Sequence, residues 1–77
     1  MSLKYITYEH VDGTYRCLIG DKLTTHAELA RHAGVFRILG AGETSMELNN
    51  CYGRSVSLNV ASREDDDLNL IRSLYNI

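Results

Sequence analysis

Proline is absent from all 77 residues, and so is tryptophan. Without proline, the connections between elements have to be glycine and asparagine turns in place of rigid loops. An excess of basic residues is missing too: 8 Lys and Arg stand against 10 Asp and Glu, a formal charge of -2. This argues against a nucleic-acid surface, which needs clustered cations to meet phosphates. No run is apolar enough to span a bilayer, and the N-terminus shows no apolar signal core. Cysteine is scarce: Cys17 and Cys51 fit neither a metal-ligand spacing nor a CxxC redox pair. The expectation is a cytoplasmic protein with reduced thiols and neither metal nor cofactor.

What is present fits a globular chain. Hydrophobic residues make up 44% and charged residues 23%, which argues against disorder. Residues 1–77 read as one small domain, near the lower size limit at which a single core suffices.

The middle of the chain carries the clearest local signal. Thr25-His26-Ala27-Glu28 fits a capping box, in which the Thr25 hydroxyl accepts from the Glu28 N–H and the Glu28 carboxylate reaches back. The spacing predicts a helix from Thr25 to Ala33, stopped by a left-handed Gly34. Val35 to Leu39 then reads as a buried strand. Gly40-Ala41-Gly42 suggests a bulge or bend before pairing continues from Glu43 to Leu48.

Ahead of that helix, Asp12-Gly13 suits a two-residue type I′ hairpin turn flanked by Val11 and Thr14. That register sets Glu9 opposite Arg16, Tyr8 opposite Cys17 and Ile6 opposite Ile19. Ile6, Tyr8, Cys17 and Ile19 then share the core face, while Tyr5, Thr7, Arg16 and Leu18 lie on the outer one. Towards the C-terminus, Asn49-Asn50 offers a second turn. Val56, Leu58 and Val60 alternate with Ser55, Ser57 and Asn59 as a fourth strand would. A last helix is expected from Ser62, its acidic run Glu64 to Asp67 favoured by the helix dipole. Leu68, Ile71, Leu74 and Tyr75 belong to a wide apolar face. Asp67 falls on that apolar side, at a rim where Arg37 or Arg54 could meet it.

The order ββαββα implies an α+β two-layer sandwich: a four-stranded, mainly antiparallel sheet with both helices on one face. The uncovered face would carry an interaction surface of Tyr5, Thr7, Arg16 and Leu18. No catalytic constellation is apparent, so the leading expectation is a non-enzymatic protein–protein interaction or self-assembly module, most simply a homodimer joined through the open sheet face or an edge strand. The alternative is a small thiol- or histidine-dependent enzyme or ligand binder, with His10, Tyr15 and Cys17 gathered at the first hairpin. A weaker one is a nucleic-acid-associated regulator using Lys4, Arg16, Arg37 and Arg54.

Overall fold

The computed structural model describes residues 2–77. In chain order the elements are β1 (Ser2–His10), β2 (Tyr15–Gly20), α1 (His26–Arg31), β3 (Val35–Ser45), β4 (Cys51–Tyr52), β5 (Arg54–Ser55), β6 (Val60–Ala61) and α2 (Asp65–Tyr75). Strands β1 to β4 form one antiparallel sheet in the order β2-β1-β3-β4, and β5 pairs with β6 as a separate small ribbon. The chain is therefore an α+β domain with a four-stranded antiparallel sheet and two helices.

The first hairpin forms where expected, but its register is one residue off the predicted one. Glu9 lies opposite Tyr15, Tyr8 opposite Arg16, Thr7 opposite Cys17 and Ile6 opposite Leu18. The turn explains the step. Gly13 takes φ +89° while Asp12 keeps a negative φ, so the type I′ geometry with two positive φ values is not adopted. Instead the Gly13 N–H donates to the His10 carbonyl and the His10 N–H to the Thr14 carbonyl, both at 2.8 Å. This is a three-residue loop over Val11, Asp12 and Gly13, with glycine in the left-handed position. The Asp12 carboxylate locks it by accepting from the Thr14 N–H at 2.9 Å and the Thr14 hydroxyl at 2.6 Å.

Because side chains alternate along a strand, one residue of slip exchanges the faces of β2 relative to β1. Ile6 and Tyr8 pack with Leu29 and Ala41, joined by Leu18, Ala30, Ala33, Val35 and Ile38. Tyr5 packs on the other side with Cys51 and Ile71, joined by Cys17, Ile19, Leu48 and Leu68. Helix α1 thus covers one face and α2 the opposite one, which corrects the expected two-layer sandwich with both helices together. Four successive β1 residues, Tyr5 to Tyr8, are buried as a result. Complete burial of a side chain such as Ile6 stabilises by about 1.5–3 kcal/mol relative to leaving it exposed.

Helix α1 has its predicted capping box: the Thr25 hydroxyl accepts from the Glu28 N–H at 3.1 Å. Its end differs, since Gly34 has no positive φ. A side chain there would overlap the His10 ring, so close packing accounts for that glycine. Gly42 and Ala41 pair in regular register with Tyr5 and Ile6, while one β3 register shift falls at Leu39, immediately before Gly40, and a second at Phe36. A Cβ at Gly40 would strike the Asp67 carboxylate, and one at Gly42 the Tyr52 carbonyl.

The second half departs further. No fourth strand runs through Val56 to Val60: residues 56–59 form the turn of the β5–β6 ribbon, and Val56 is exposed. Leu58 and Val60 instead fold onto the cluster beneath α1. The turn before β4 places its left-handed residue at Leu48, not at Asn49 or Asn50. The cap of helix α2 lies at Glu64, two residues later than the expected Ser62, and it makes no side-chain capping bond. Its apolar face is narrower than predicted, because Leu74, Tyr75 and Ile77 remain about half exposed.

Candidate functional site

Along its whole length β2 is an open edge of the sheet among the described residues. Within an antiparallel ladder, hydrogen-bonded pairs alternate with unbonded ones. The bond from the His10 N–H to Thr14 sets the phase, so Tyr8 with Arg16, Ile6 with Leu18 and Lys4 with Gly20 are the bonded pairs. The backbone groups of Tyr15, Cys17 and Ile19 accordingly point away from β1, and among the described residues no other strand lies beyond β2. Natural edges are commonly blunted by proline, bulges or several charges. β2 has no proline, pairs without a register break and carries a single charge, Arg16. The opposite side of the sheet is better covered, by β4 along Glu43 and Thr44 and by the β5–β6 ribbon against β3.

Exposed apolar groups border the same edge. Helix α2 packs against β2, and near its end Leu74 and Tyr75 are about half exposed, Tyr75 close to Cys17. Just past the end of β2, Leu23 is 83% exposed. There a hollow of about 280 Å³ is lined by Leu3, Leu23 and Met46 together with Ser2, Asp21 and Lys22.

The predicted interaction residues do not form one surface. Tyr5 and Thr7 are fully buried beneath α2, and Leu18 packs on the other face in the α1 cluster. Arg16 alone is exposed, with its guanidinium 2.6 Å from Asp12. The expected Glu9–Arg16 pair is replaced by Glu9 with Arg37 at 2.6 Å. Both exchanges follow from the register step.

The predicted thiol cluster is dispersed too. The His10 Nδ1 accepts from the Asp12 N–H at 3.2 Å, its ring packed against Gly34 after α1. Tyr15 is exposed near the hairpin end, and Cys17, two residues on, faces α2 on the opposite side of the sheet from His10. Burial pushes the Cys17 thiol up to about 11, with Cys51 nearby adding to the effect. Burial also raises Cys51, and neither cysteine is in a disulfide. A protonated, half-buried thiol with no imidazole partner is a poor nucleophile.

The most elaborate side-chain arrangement surrounds Asp67, which is fully buried. Its Oδ1 accepts from the Thr7 hydroxyl at 2.8 Å and Arg63 Nε at 2.7 Å. Its Oδ2 accepts from the Tyr5 hydroxyl at 2.6 Å and the Arg63 backbone N–H at 2.9 Å. Tyr5 has one proton and gives it to the carboxylate, so the Ser62 hydroxyl, also 2.6 Å away, donates to Tyr5. Ser62 accepts in turn from the Glu64 N–H at 2.9 Å. Burial, with the Asp67 carboxylate as the next cause, holds the Tyr5 phenol far above its ordinary range. Four donors saturate the roughly four acceptor sites of a carboxylate, leaving none for a substrate. This is a structural clamp on α2. Arg63, rather than Arg37 or Arg54, is the cation that meets Asp67. The sequence signal was an aspartate on the apolar side of a helix, which pointed to a charged partner but to the wrong arginines.

Among the described residues no group of three or more His, Cys, Asp or Glu side chains is placed to hold a metal ion. Comparison with protein-family models, with curated proteins and with solved structures finds no match for this chain.

Proposed function

We propose that this chain is a non-enzymatic self-assembly module, in which β2 pairs antiparallel with β2 of a second copy. The observation that supports it is the outward-facing backbone of Tyr15, Cys17 and Ile19 on an edge without the usual protections. A two-fold axis through the middle of β2 is self-complementary, so one strand serves both partners and no second surface is required. The pairing would extend the sheet across both copies and set Leu74 and Tyr75 over the seam. The expected homodimer is retained in this reading, with an edge strand rather than the open sheet face as its contact. A cytoplasmic setting belongs to the same reading. No helix among the described residues is long and apolar enough to cross a membrane.

Cys17→Pro tests it. Proline removes an N–H that points to solvent and leaves every β1–β2 hydrogen bond in place, the position at which edge strands tolerate it. Light scattering from micromolar to millimolar protein should show the wild-type mass doubling while the folded variant stays monomeric. A wild type that remains monomeric at millimolar concentration overturns the reading, as does a Cys17→Pro variant that dimerises equally well.

A further inference from the structure

A second cleft, independent of the β2 edge, opens on the α1 face between the start of α1 and the β5–β6 ribbon. It encloses about 290 Å³ and is lined by Lys4, His26, Glu43, Arg54, Val56 and Ser57, with Thr25 at its border. Its chemistry is mixed in a particular way. Lys4 and Arg54 form no ion pair among the described residues, although Lys4 stands directly across the sheet from Glu43. Arg54 spends one N–H on Asn59 at 3.0 Å and keeps the rest. Glu43 accepts one hydroxyl, from Ser2, at Oε1, and Oε2 has no donor among the described residues.

His26 supplies the second, sharper observation. It is only 6% exposed, and its Nε2 lies 2.8 Å from the Gly42 carbonyl. A carbonyl can only accept, so Nε2 donates, and in that tautomer Nδ1 carries the lone pair. That nitrogen has no partner among the described residues. No buried side-chain nitrogen or oxygen there is left unsatisfied, so Nδ1 keeps some access to solvent, and the ring it belongs to lines the cleft.

The cleft therefore offers two cationic donors and two acceptors, the Glu43 carboxylate and the His26 lone pair. A bare oxyanion would satisfy Lys4 and Arg54 but face both acceptors. A metal ion or simple amine would have the reverse difficulty. A ligand carrying an ammonium and a carboxylate on one carbon offers a partner to all four. We propose that this cleft binds a free α-amino acid, its carboxylate held by Lys4 and Arg54 and its ammonium by Glu43 and His26 Nδ1. The volume is near the small end of ligand pockets, which suits so compact a molecule. Val56 at the rim, exposed with no apolar partner of its own, offers contact to an aliphatic side chain.

The test is an NMR titration of the full chain with L-alanine, L-valine and L-aspartate, using N-acetyl-L-alanine and ethylamine as half-ligands. Expected are saturable shifts of the Lys4, Glu43 and Arg54 amides and of the His26 ring with the amino acids. Affinity should fall about tenfold or more for either half-ligand, the scale of one charge-assisted hydrogen bond. Glu43→Gln and Arg54→Gln, both at the cleft rim, should each weaken binding by a similar factor while leaving the spectrum folded. The proposal is overturned if no amino acid gives saturable shifts at tens of millimolar. It is equally overturned if N-acetyl-L-alanine or inorganic phosphate binds as well as L-alanine. None of these readouts depends on whether β2 pairs with a second copy.

Discussion

The two faces of the sheet are made from alternate residues of the same central strand, yet they hold their helices by different means. On the α1 side, Ile6 and Tyr8 meet Leu29 and the small side chains Ala30 and Ala33, a contact of ordinary apolar burial. On the α2 side, Tyr5 and Thr7 reach up to a buried carboxylate, and Ile71 and Leu68 fill in around it. Apolar burial is non-directional and tolerates small shifts of a helix. A carboxylate with four donors does not, because each bond fails within a few tenths of an ångström or a modest rotation. The six residues of α1 are thus seated by area, whereas the eleven of α2 are placed by geometry.

The largest expected effect breaks the α2 side. Asp67→Ala strands the Tyr5 and Thr7 hydroxyls and the Arg63 guanidinium, and should cost about 3–5 kcal/mol, the scale for removing one partner of a buried ion pair. That is much of the stability of a domain this small. Asp67→Asn should recover little, since its amide NH₂ turns donors towards donors. The matching change on the α1 side, Leu29→Ala, removes a side chain at the margin of burial. It should cost about 2 kcal/mol, the lower end for such truncations. Urea midpoints of the variants rank them directly. If Leu29→Ala proved the more damaging, the Asp67 bonds would contribute little net stability and the contrast between the faces would fail.

How much of this was legible in the sequence turns on one residue of register. The Asp12-Gly13 turn, the capping box at Thr25 and the two helices are local features written in neighbouring side chains, and all are present. What misled was that Asp-Gly suits both a two-residue and a three-residue loop. The choice between them rests on Asp12 bonding Thr14, a contact within the loop that hydrophobic alternation does not report. Both registers place apolar residues on both faces of β1, because β1 is buried on both sides. Alternation could not expose the error, and from it followed the predicted surface of Tyr5, Thr7, Arg16 and Leu18. The alternation from Ser55 to Val60 misled differently. Two-residue strands with a tight turn between them repeat the same pattern, and Val56, counted as core, ends up exposed. Gly40 and Gly42 were noticed, but their reason lies across space in Asp67 and Tyr52.

Alkaline titration sharpens the comparison with a smaller effect. Burial raises the Cys17 and Cys51 thiols and the Tyr5 phenol, all on the α2 side, and Tyr8 is raised on the other. A group whose folded pKa is raised stabilises fully below its unfolded value and loses that contribution as pH climbs through the folded one. For Cys17 the window runs from 9.0 to about 11. Urea midpoints should therefore fall across that range, and Cys17→Ala should flatten part of the slope. Alkylation of Cys17 by iodoacetamide should be slow at neutral pH and rise over the same window. Rapid labelling at neutral pH would mean that the α2 side opens far more readily than its packing implies.

The smallest effects lie at the helix starts, where the two modes of attachment meet their simplest test. Thr25 closes a reciprocal pair of bonds on α1, and Thr25→Ala should cost about 1 kcal/mol. A six-residue helix has few other means of ordering its first turn, because isolated helices of that length do not persist in water. Glu64 occupies the equivalent position on α2 and makes no side-chain capping bond, its chain held at φ 54° while the Arg63 N–H beside it binds Asp67. Glu64→Ala should shift stability by no more than about 0.5 kcal/mol, as for a surface site with no specific bond. Hydrogen exchange of the first-turn amides separates the causes. Thr25→Ala should raise exchange in α1 alone, Glu64→Ala should leave α2 protected, and Asp67→Asn should release α2 with its would-be cap intact. A start of α2 that frayed on losing Glu64 would mean that its own residues, rather than the buried carboxylate, begin that helix.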